Sequence, residues 1–106
     1  MPLALCRPTS LDVADIVPTQ MIGIAPERNP TRHLVLRFNP DQEWFYFPEM
    51  ASDEVLAFKL CEFWKDDADA RPQNVFHTAF DHPDTPDDAE HRQSCEHRVG
   101  VMILRD

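Results

Sequence analysis

Apolar and polar residues alternate clearly in two neighbouring stretches of the chain. In RHLVLRF (32–38), Leu34 and Leu36 fall on one side, which predicts a strand. EWFYFP (43–48) is predicted as a second, aromatic strand. The intervening NPDQ (39–42) favours a turn, so the two strands are predicted to form a hairpin. Aromatic residues on both faces of the second strand indicate burial on both sides, as in a sheet folded over into a sandwich.

The N-terminal part predicts shorter elements. LALC (3–6) is a compact apolar run closed by Arg-Pro, and it predicts a strand. In SLDVADIVPTQM (10–21) the apolar residues are loosely spaced after a possible cap at Ser10, so it supports one helical turn or an irregular connection. IAPERNPT (24–31) has the composition of a loop.

Two segments of the second half have less decisive patterns. SDEVLAFKLCEFW (52–64) combines an acidic, Ser-capped start with apolar residues at helical spacing, so taken alone it favours a helix. KDDADARPQN (65–74) follows as an acidic loop. RQSCEHRVGVMIL (92–104) alternates and predicts a final strand with one polar face and an apolar tail.

The polar face of that final strand carries Arg92, Ser94, Glu96 and Arg98. Faces of mixed charge are most often solvated. If the face instead lines a cavity, an arginine on it can bind a carboxylate through two parallel hydrogen bonds. The pattern leaves both interpretations open.

Length and charge limit the possible functions. A chain of 106 residues forms one domain at most, and such a domain buries only about 60–70% of its unfolded surface. The net charge of −9, with ten scattered Lys and Arg residues, opposes binding to nucleic acid or to anionic membranes. The start MPLALCRPTS lacks the pattern of a signal peptide or a membrane span, so a cytoplasmic location is expected.

The three cysteines, Cys6, Cys61 and Cys95, form no CxxC pair and suit reduced thiols. Cys6 and Cys61 are predicted to be buried as small apolar residues. No stretch resembles a strained nucleophile turn, and the two glycines stand apart, so neither nucleophilic catalysis nor a phosphate-binding loop is indicated.

FHTAFDHPD (76–84) places His77 in an apolar setting at a junction of strand and loop. A lone histidine there is usually structural and donates to a backbone carbonyl. As a metal ligand it needs at least two further protein groups. His82-Pro83-Asp84 has the His-x-Asp spacing of an iron site, but Pro83 puts it in a loop, so the match is taken as coincidental. A zinc site from His91, Cys95 and His97 lacks paired ligand spacing and ranks lower still.

Several stretches together resemble one known family. They are PLALC near the start, WFYFPEM (44–50), SDEVLAFKL (52–60), HTAFDHPDTPDDA (77–89) and RQSCEHR (92–98). Their order and spacing are similar to the C-terminal part of the CmcJ-like hydroxylase/desaturase family, which includes gibberellin desaturase-like oxygenases. The motifs YFPxM-x-x-DE-x-x-x-FK, HTAFDxP and R-x-S-x-E-x-R carry the resemblance.

The resemblance implies a mainly β chain in which residues 1–106 form a single partial jelly roll, the C-terminal portion of a cupin-like double-stranded β-helix. It also implies Fe(II) and 2-oxoglutarate as cofactors and a small organic, secondary-metabolite substrate for hydroxylation or desaturation. His77 matches the family's distal histidine ligand. Arg92, as first choice, or Arg98 would pair with 2-oxoglutarate, and LAFKLCEF (56–63) becomes a core strand despite its helical pattern.

Two departures from the family define the alternatives. The family's His-x-Asp pair lies upstream of the part that aligns, so His77 would be a ligand without its partners, and His97 stands where an apolar residue is usual. A second hypothesis is therefore a non-catalytic β-domain that binds a partner or forms a homo-oligomer through open sheet edges. A cupin-like zinc protein is a third.

Overall fold

A computed structural model describes residues 1–22, 31–62 and 74–104. The predicted loops at 24–31 and 65–74 lie almost wholly outside these ranges, as does the end of the 52–64 segment. Five strands are present in the described parts. They are β1 (Leu3–Cys6), β2 (Ile16–Met21), β3 (Thr31–Leu36), β4 (Trp44–Tyr46) and β5 (His77–Ala79). Two 3₁₀ turns, Pro8–Ser10 and Val13–Asp15, join β1 to β2.

The first sheet is antiparallel, with the order β4-β1-β5. Its central strand, β1, is the apolar run predicted from LALC, and that prediction is confirmed. Ala4, Leu5 and Cys6 are 7%, 3% and 0% exposed and form the buried core of the described residues. Burying one leucine side chain stabilises a fold by about 1.5–3 kcal/mol, so this short strand contributes strongly to stability for its length.

The second sheet pairs β2 with β3 over six residues, from Ile16 opposite Leu36 to Met21 opposite Thr31. Asp15 fixes the entry to this sheet, because its backbone carbonyl accepts from the Arg37 amide at 2.9 Å. The segment 10–21, predicted as a helical turn or irregular connection, therefore contains a strand. The sequence did not indicate this strand because β2 contains Pro18, and proline is uncommon within strands.

The strands predicted at 32–38 and 43–48 exist as β3 and β4, and the turn between them is also confirmed. The Gln42 amide donates to the Asn39 carbonyl at 3.1 Å, and the Asp41 amide donates to Asn39 Oδ1 at 3.0 Å. The predicted hairpin is wrong, however, since β3 pairs with β2 and β4 pairs with β1. The turn passes the chain from one sheet to the other.

Two further strand predictions are wrong within the described residues. The LAFKLCEF segment is neither strand nor helix through residue 62, although the Lys59 carbonyl accepts from the Val75 amide at 2.9 Å. One such bond is not a ladder. Residues 92–104 form no strand either, and all of them are exposed, so their alternation selects no buried face. Cys61, predicted to be buried, is exposed, whereas Cys6 is buried as predicted.

The described part of the chain is thus mainly β, with two antiparallel sheets. Closure into a jelly roll stays a prediction. The Cα radius of gyration is 16.6 Å, whereas a compact chain of this length has about 13 Å. Consistent with this expansion, large apolar side chains such as Phe38, Val55 and Ile103 are more than three-quarters exposed. Among the described residues, none belongs to a helix of the length and apolarity that a membrane crossing requires.

Candidate functional site

His77 is the first residue of the edge strand β5, whereas the sequence predicted it at the junction where a strand passes into a loop. It lies opposite Leu5 of β1, which in turn lies opposite Phe45 of β4. Directly opposed residues of neighbouring strands share a sheet face, so the imidazole is on the side of Leu5 and Phe45. His77 is exposed there. An exposed imidazole on an edge strand is accessible to a ligand or a metal.

Two contacts orient the His77 ring. Its Nδ1 lies 3.2 Å from the Val75 carbonyl oxygen. The ring of Phe58 packs against it, with centroids 4.9 Å apart and planes inclined by 56°. In the neutral tautomer that donates from Nδ1 to this carbonyl, Nε2 carries a lone pair. This is the arrangement in which a histidine ligates a metal, and it is equally that of a structural histidine bonded to the backbone.

The C-terminal segment brings a carboxylate and a guanidinium towards His77. Arg98 Nε donates to Glu96 Oε1 at 2.7 Å. The pKa of Glu96 is lowered, first by this hydrogen bond from Arg98, then by the charge of Arg98, and to a lesser extent by the charge of His77. Glu96 therefore lies within electrostatic reach of β5. The sequence placed Glu96 and Arg98 on one polar face but assigned no role to Glu96, although the R-x-S-x-E-x-R motif contains it.

Arg92, the first choice from the sequence for binding 2-oxoglutarate, is exposed and forms no salt bridge with a described residue. Arg98 is also exposed but is paired with the Glu96 carboxylate. The two arginines thus differ in that only Arg98 has a carboxylate partner among the described residues.

A cleft of about 410 Å³ lies where β3 approaches the first sheet. His77 is among its lining residues, and the others are Leu34, Val35, Leu36, Phe38, Gln42, Trp44, Phe76 and Thr78. Small-molecule sites in proteins have volumes of about 300–1,000 Å³ and mostly apolar walls. The cleft therefore has the size and chemistry to hold a small organic molecule beside β5.

His82 is the alternative iron ligand that the His-x-Asp spacing suggested. Both ring nitrogens of His82 are engaged, since Nε2 lies 2.8 Å from Tyr46 Oη and Nδ1 accepts from the Asp84 amide at 3.2 Å. His82 is therefore a structural residue, as the sequence interpretation of His82-Pro83-Asp84 expected.

The ligand set of an iron or zinc site is incomplete in the residues that the structure describes. No three His, Cys, Asp or Glu side chains are grouped among residues 1–22, 31–62 and 74–104, and this includes His91, Cys95 and His97. The orientation of His77 is compatible with ligation as well as with a structural role. A non-haem iron site requires three protein groups, of which this imidazole would be one.

The class of this protein is indicated by its similarity to known proteins. Residues 1–102 match the YDMC family, whose description is "Oxidoreductase/YMDC permease-like domain", and the chain belongs to this family. A curated relative, the hydroxylase/desaturase asaB of Aspergillus flavus, is 40% identical over 67 residues. The matched region covers 63% of this chain but 29% of the relative, so the chain spans under a third of that protein. No solved structure matches the chain.

Proposed function

We propose that this chain is part of an Fe(II)- and 2-oxoglutarate-dependent hydroxylase or desaturase that acts on a small organic molecule. The observation that carries the proposal is the orientation of His77. Its Nδ1–H donates to the Val75 carbonyl oxygen, so the lone pair of Nε2 can bind a metal. The oxidoreductase family and the hydroxylase/desaturase relative support this class of reaction.

His77 would hold iron through Nε2. Iron of this kind is usually bound by two histidines and one carboxylate, and it supplies the oxidation of a C–H bond when bound. The described residues do not complete that set, so the remaining ligands would come from chain outside them. What these residues contribute is the orientation of one imidazole, by Val75 and Phe58, and part of the wall of an apolar cleft.

Arg98 is the proposed partner of the far carboxylate of 2-oxoglutarate. Its guanidinium already binds one carboxylate, that of Glu96, at 2.7 Å, and the keto acid would replace it. Arg92 remains the second candidate, since its exposed guanidinium has the same chemistry. The chain has a net charge of −9 and therefore repels a dianionic keto acid. Binding of the keto acid thus depends on a direct ion pair with an arginine.

Anaerobic titration with Fe(II), followed by calorimetry, tests the metal assignment. We expect His77→Ala to weaken Fe(II) binding at least about tenfold, the lower end of the loss found when a group that hydrogen-bonds to a metal ligand is removed. His97→Ala is the matched control, because His97 is exposed and makes no hydrogen bond to a described residue. Equal affinity of the two variants would exclude His77 as a ligand.

Saturation-transfer NMR with 2-oxoglutarate tests the arginine. We expect Arg98→Gln to weaken binding about tenfold or more, because a charged hydrogen bond contributes about 1.5–3 kcal/mol. Arg92→Gln should leave the affinity within about twofold. If Arg92→Gln causes the larger loss, the roles of the two arginines are exchanged.

A second function is favoured by one observation, the exposure of the apolar tail. Val99, Val101, Met102, Ile103 and Leu104 are 77–84% exposed. Such a segment, in a chain whose outer strands have no further partner among the described residues, suits a non-catalytic domain that associates with itself. Sedimentation equilibrium distinguishes the two functions, because a metal-free dimer that Ile103→Lys dissociates favours self-association, whereas a monomer that binds Fe(II) favours the oxidoreductase.

A further inference from the structure

A second, smaller hollow lies beside the first sheet. Its volume is about 300 Å³, and it is lined by Ala4, Trp44, Phe45, Tyr46, Thr78 and Phe80. It shares Trp44 and Thr78 with the cleft beside β5 but includes neither His77 nor any residue of β3. The hollow is therefore independent of the proposed iron ligand.

The sheet register explains the hollow. Ala4 of the central strand lies directly opposite Tyr46 on one side and Thr78 on the other. Opposed residues point to the same face, so a methyl group stands between two larger side chains. Ala4 is 7% exposed and forms the floor. A larger residue at position 4 would fill the space.

Aromatic contacts fix the Tyr46 wall of the hollow. The ring of Phe80 meets the Tyr46 ring edge-on, with centroids 5.1 Å apart, and the His82 ring meets it in the same way at 5.5 Å. Edge-to-face pairs of this kind are favourable beyond the area that they bury. The Tyr46 side chain is therefore held in place before any ligand arrives.

His82 determines which way the Tyr46 hydroxyl can donate. Because the Asp84 amide donates to Nδ1, a neutral His82 carries its proton on Nε2. Nε2–H then donates to Tyr46 Oη across 2.8 Å. The phenolic proton is left to donate elsewhere, and no described residue accepts it. The hollow thus has aromatic walls, and one of its lining side chains carries a hydroxyl proton that no described residue accepts.

We propose that this hollow binds a small, neutral aromatic compound with a carbonyl oxygen, which accepts the hydrogen bond of Tyr46. The aromatic walls favour a planar apolar ligand. A partly exposed donor favours a ligand with an acceptor, because the donor loses its hydrogen bond to water when an apolar ligand covers it. The net charge of −9 disfavours an anionic ligand.

Acetophenone and ethylbenzene form a matched pair of probes, since they have similar shape and only the ketone accepts a hydrogen bond. Binding to the full chain is followed by the NMR signal of the Trp44 indole N–H, assigned by comparison with Trp64→Phe. We expect a saturable shift with acetophenone and an affinity about threefold to tenfold lower for ethylbenzene, the effect of one net hydrogen bond. Tetramethylammonium tests the cation-binding alternative, and tighter binding of this ion than of acetophenone would overturn the proposal.

Variants test the contribution of the Tyr46 hydroxyl and that of the hollow separately. Tyr46→Phe should abolish the preference for acetophenone, and Ala4→Leu should abolish the shift with both probes. Phe47→Leu, an aromatic loss just beyond β4 and outside the lining, should change neither. No saturable shift in the wild-type chain, or a preference that persists in Tyr46→Phe, would overturn the proposal, and the Tyr46→Phe result does not depend on whether Ala4→Leu folds.

Discussion

Strand β1 and the C-terminal tail (99–104) are both apolar, but β1 is buried and the tail is exposed. LALC is paired on both sides and at most half-exposed at its first residue, whereas VGVMIL (99–104) makes no strand and is more than three-quarters exposed at each large side chain. Both stretches have the composition of a buried strand. The difference shows that an apolar run becomes a core strand only where two neighbours provide hydrogen bonds and cover its side chains.

The largest expected effect separates the two regions by stability. Leu5→Ala should lower the free energy of unfolding by about 2–5 kcal/mol, as for other buried leucines. Leu104→Ala makes the same chemical change in the tail, where Leu104 is 83% exposed, and should stay within about 0.5 kcal/mol. Urea unfolding measures both. Similar losses would mean that the tail packs against the protein in solution.

Thiol reactivity gives a second contrast between the same regions. Burial raises the pKa of the Cys6 thiol, although its hydrogen bond with Ser10 lowers it somewhat, whereas Cys95 is exposed. Iodoacetamide should modify Cys6 about a hundredfold more slowly than Cys95, which corresponds to an opening free energy of about 2.8 kcal/mol at 1.4 kcal/mol per factor of ten. Mass spectrometry of a time course follows both sites. Equal rates would place β1 in a frequently opened part of the sheet.

A smaller effect is expected where β1 ends. Ser10 Oγ donates to the Arg7 carbonyl at 2.8 Å and accepts from the Glu43 amide at 2.9 Å, so it ties the end of β1 to the start of β4. Ser10→Ala should cost about 1 kcal/mol of unfolding free energy, since these groups are partly accessible to water. Ser52→Ala is the control, because Ser52 is exposed and outside this network. A loss equal to that of the control would show that the strand ends are held by pairing alone.

The smallest effect concerns the ion pair between Glu96 and Arg98, just before the tail. The hydrogen bond and charge of Arg98 lower the pKa of Glu96 in the folded chain. The contribution of this pair is present above the ordinary carboxyl pKa of the unfolded chain and is lost as the pH falls through the lowered folded value. A ¹³C NMR titration should show the Glu96 pKa rising towards its ordinary value in Arg98→Gln and rising less in His77→Ala. An unchanged Glu96 pKa in Arg98→Gln would show that the pair does not persist in solution.

The sequence predicted individual strands better than their partners. LALC, RHLVLRF and EWFYFP contain three of the observed strands because apolar alternation is a local property. Pairing is not local, since β4 joins a strand far upstream and not its predecessor. The 56–63 segment was assigned to a strand by resemblance against its own helical pattern, and the described part of it has neither structure.

The candidate site was predicted in part. The sequence placed His77 at a junction from strand to loop, whereas His77 is the first residue of β5. The resemblance named Arg92 as first choice and Arg98 as second for binding the keto acid, and that order stays a prediction. Glu96 is the described partner of Arg98, and the sequence assigned it no role. Tyr46 and His82 were missed as a pair, because their hydrogen bond joins residues far apart in the chain.

The central position of β1 in its sheet sets the order of events during synthesis. Its residues leave the ribosome well before those of its neighbours, Trp44–Tyr46 and His77–Ala79, which lie about 40 and 70 residues further along the chain. Until His77–Ala79 emerges, one edge of this apolar strand has no native partner and can pair with other segments or other chains. Nascent chains stalled before residue 77 should therefore recruit holdase chaperones far more than chains stalled after residue 80 has cleared the exit tunnel.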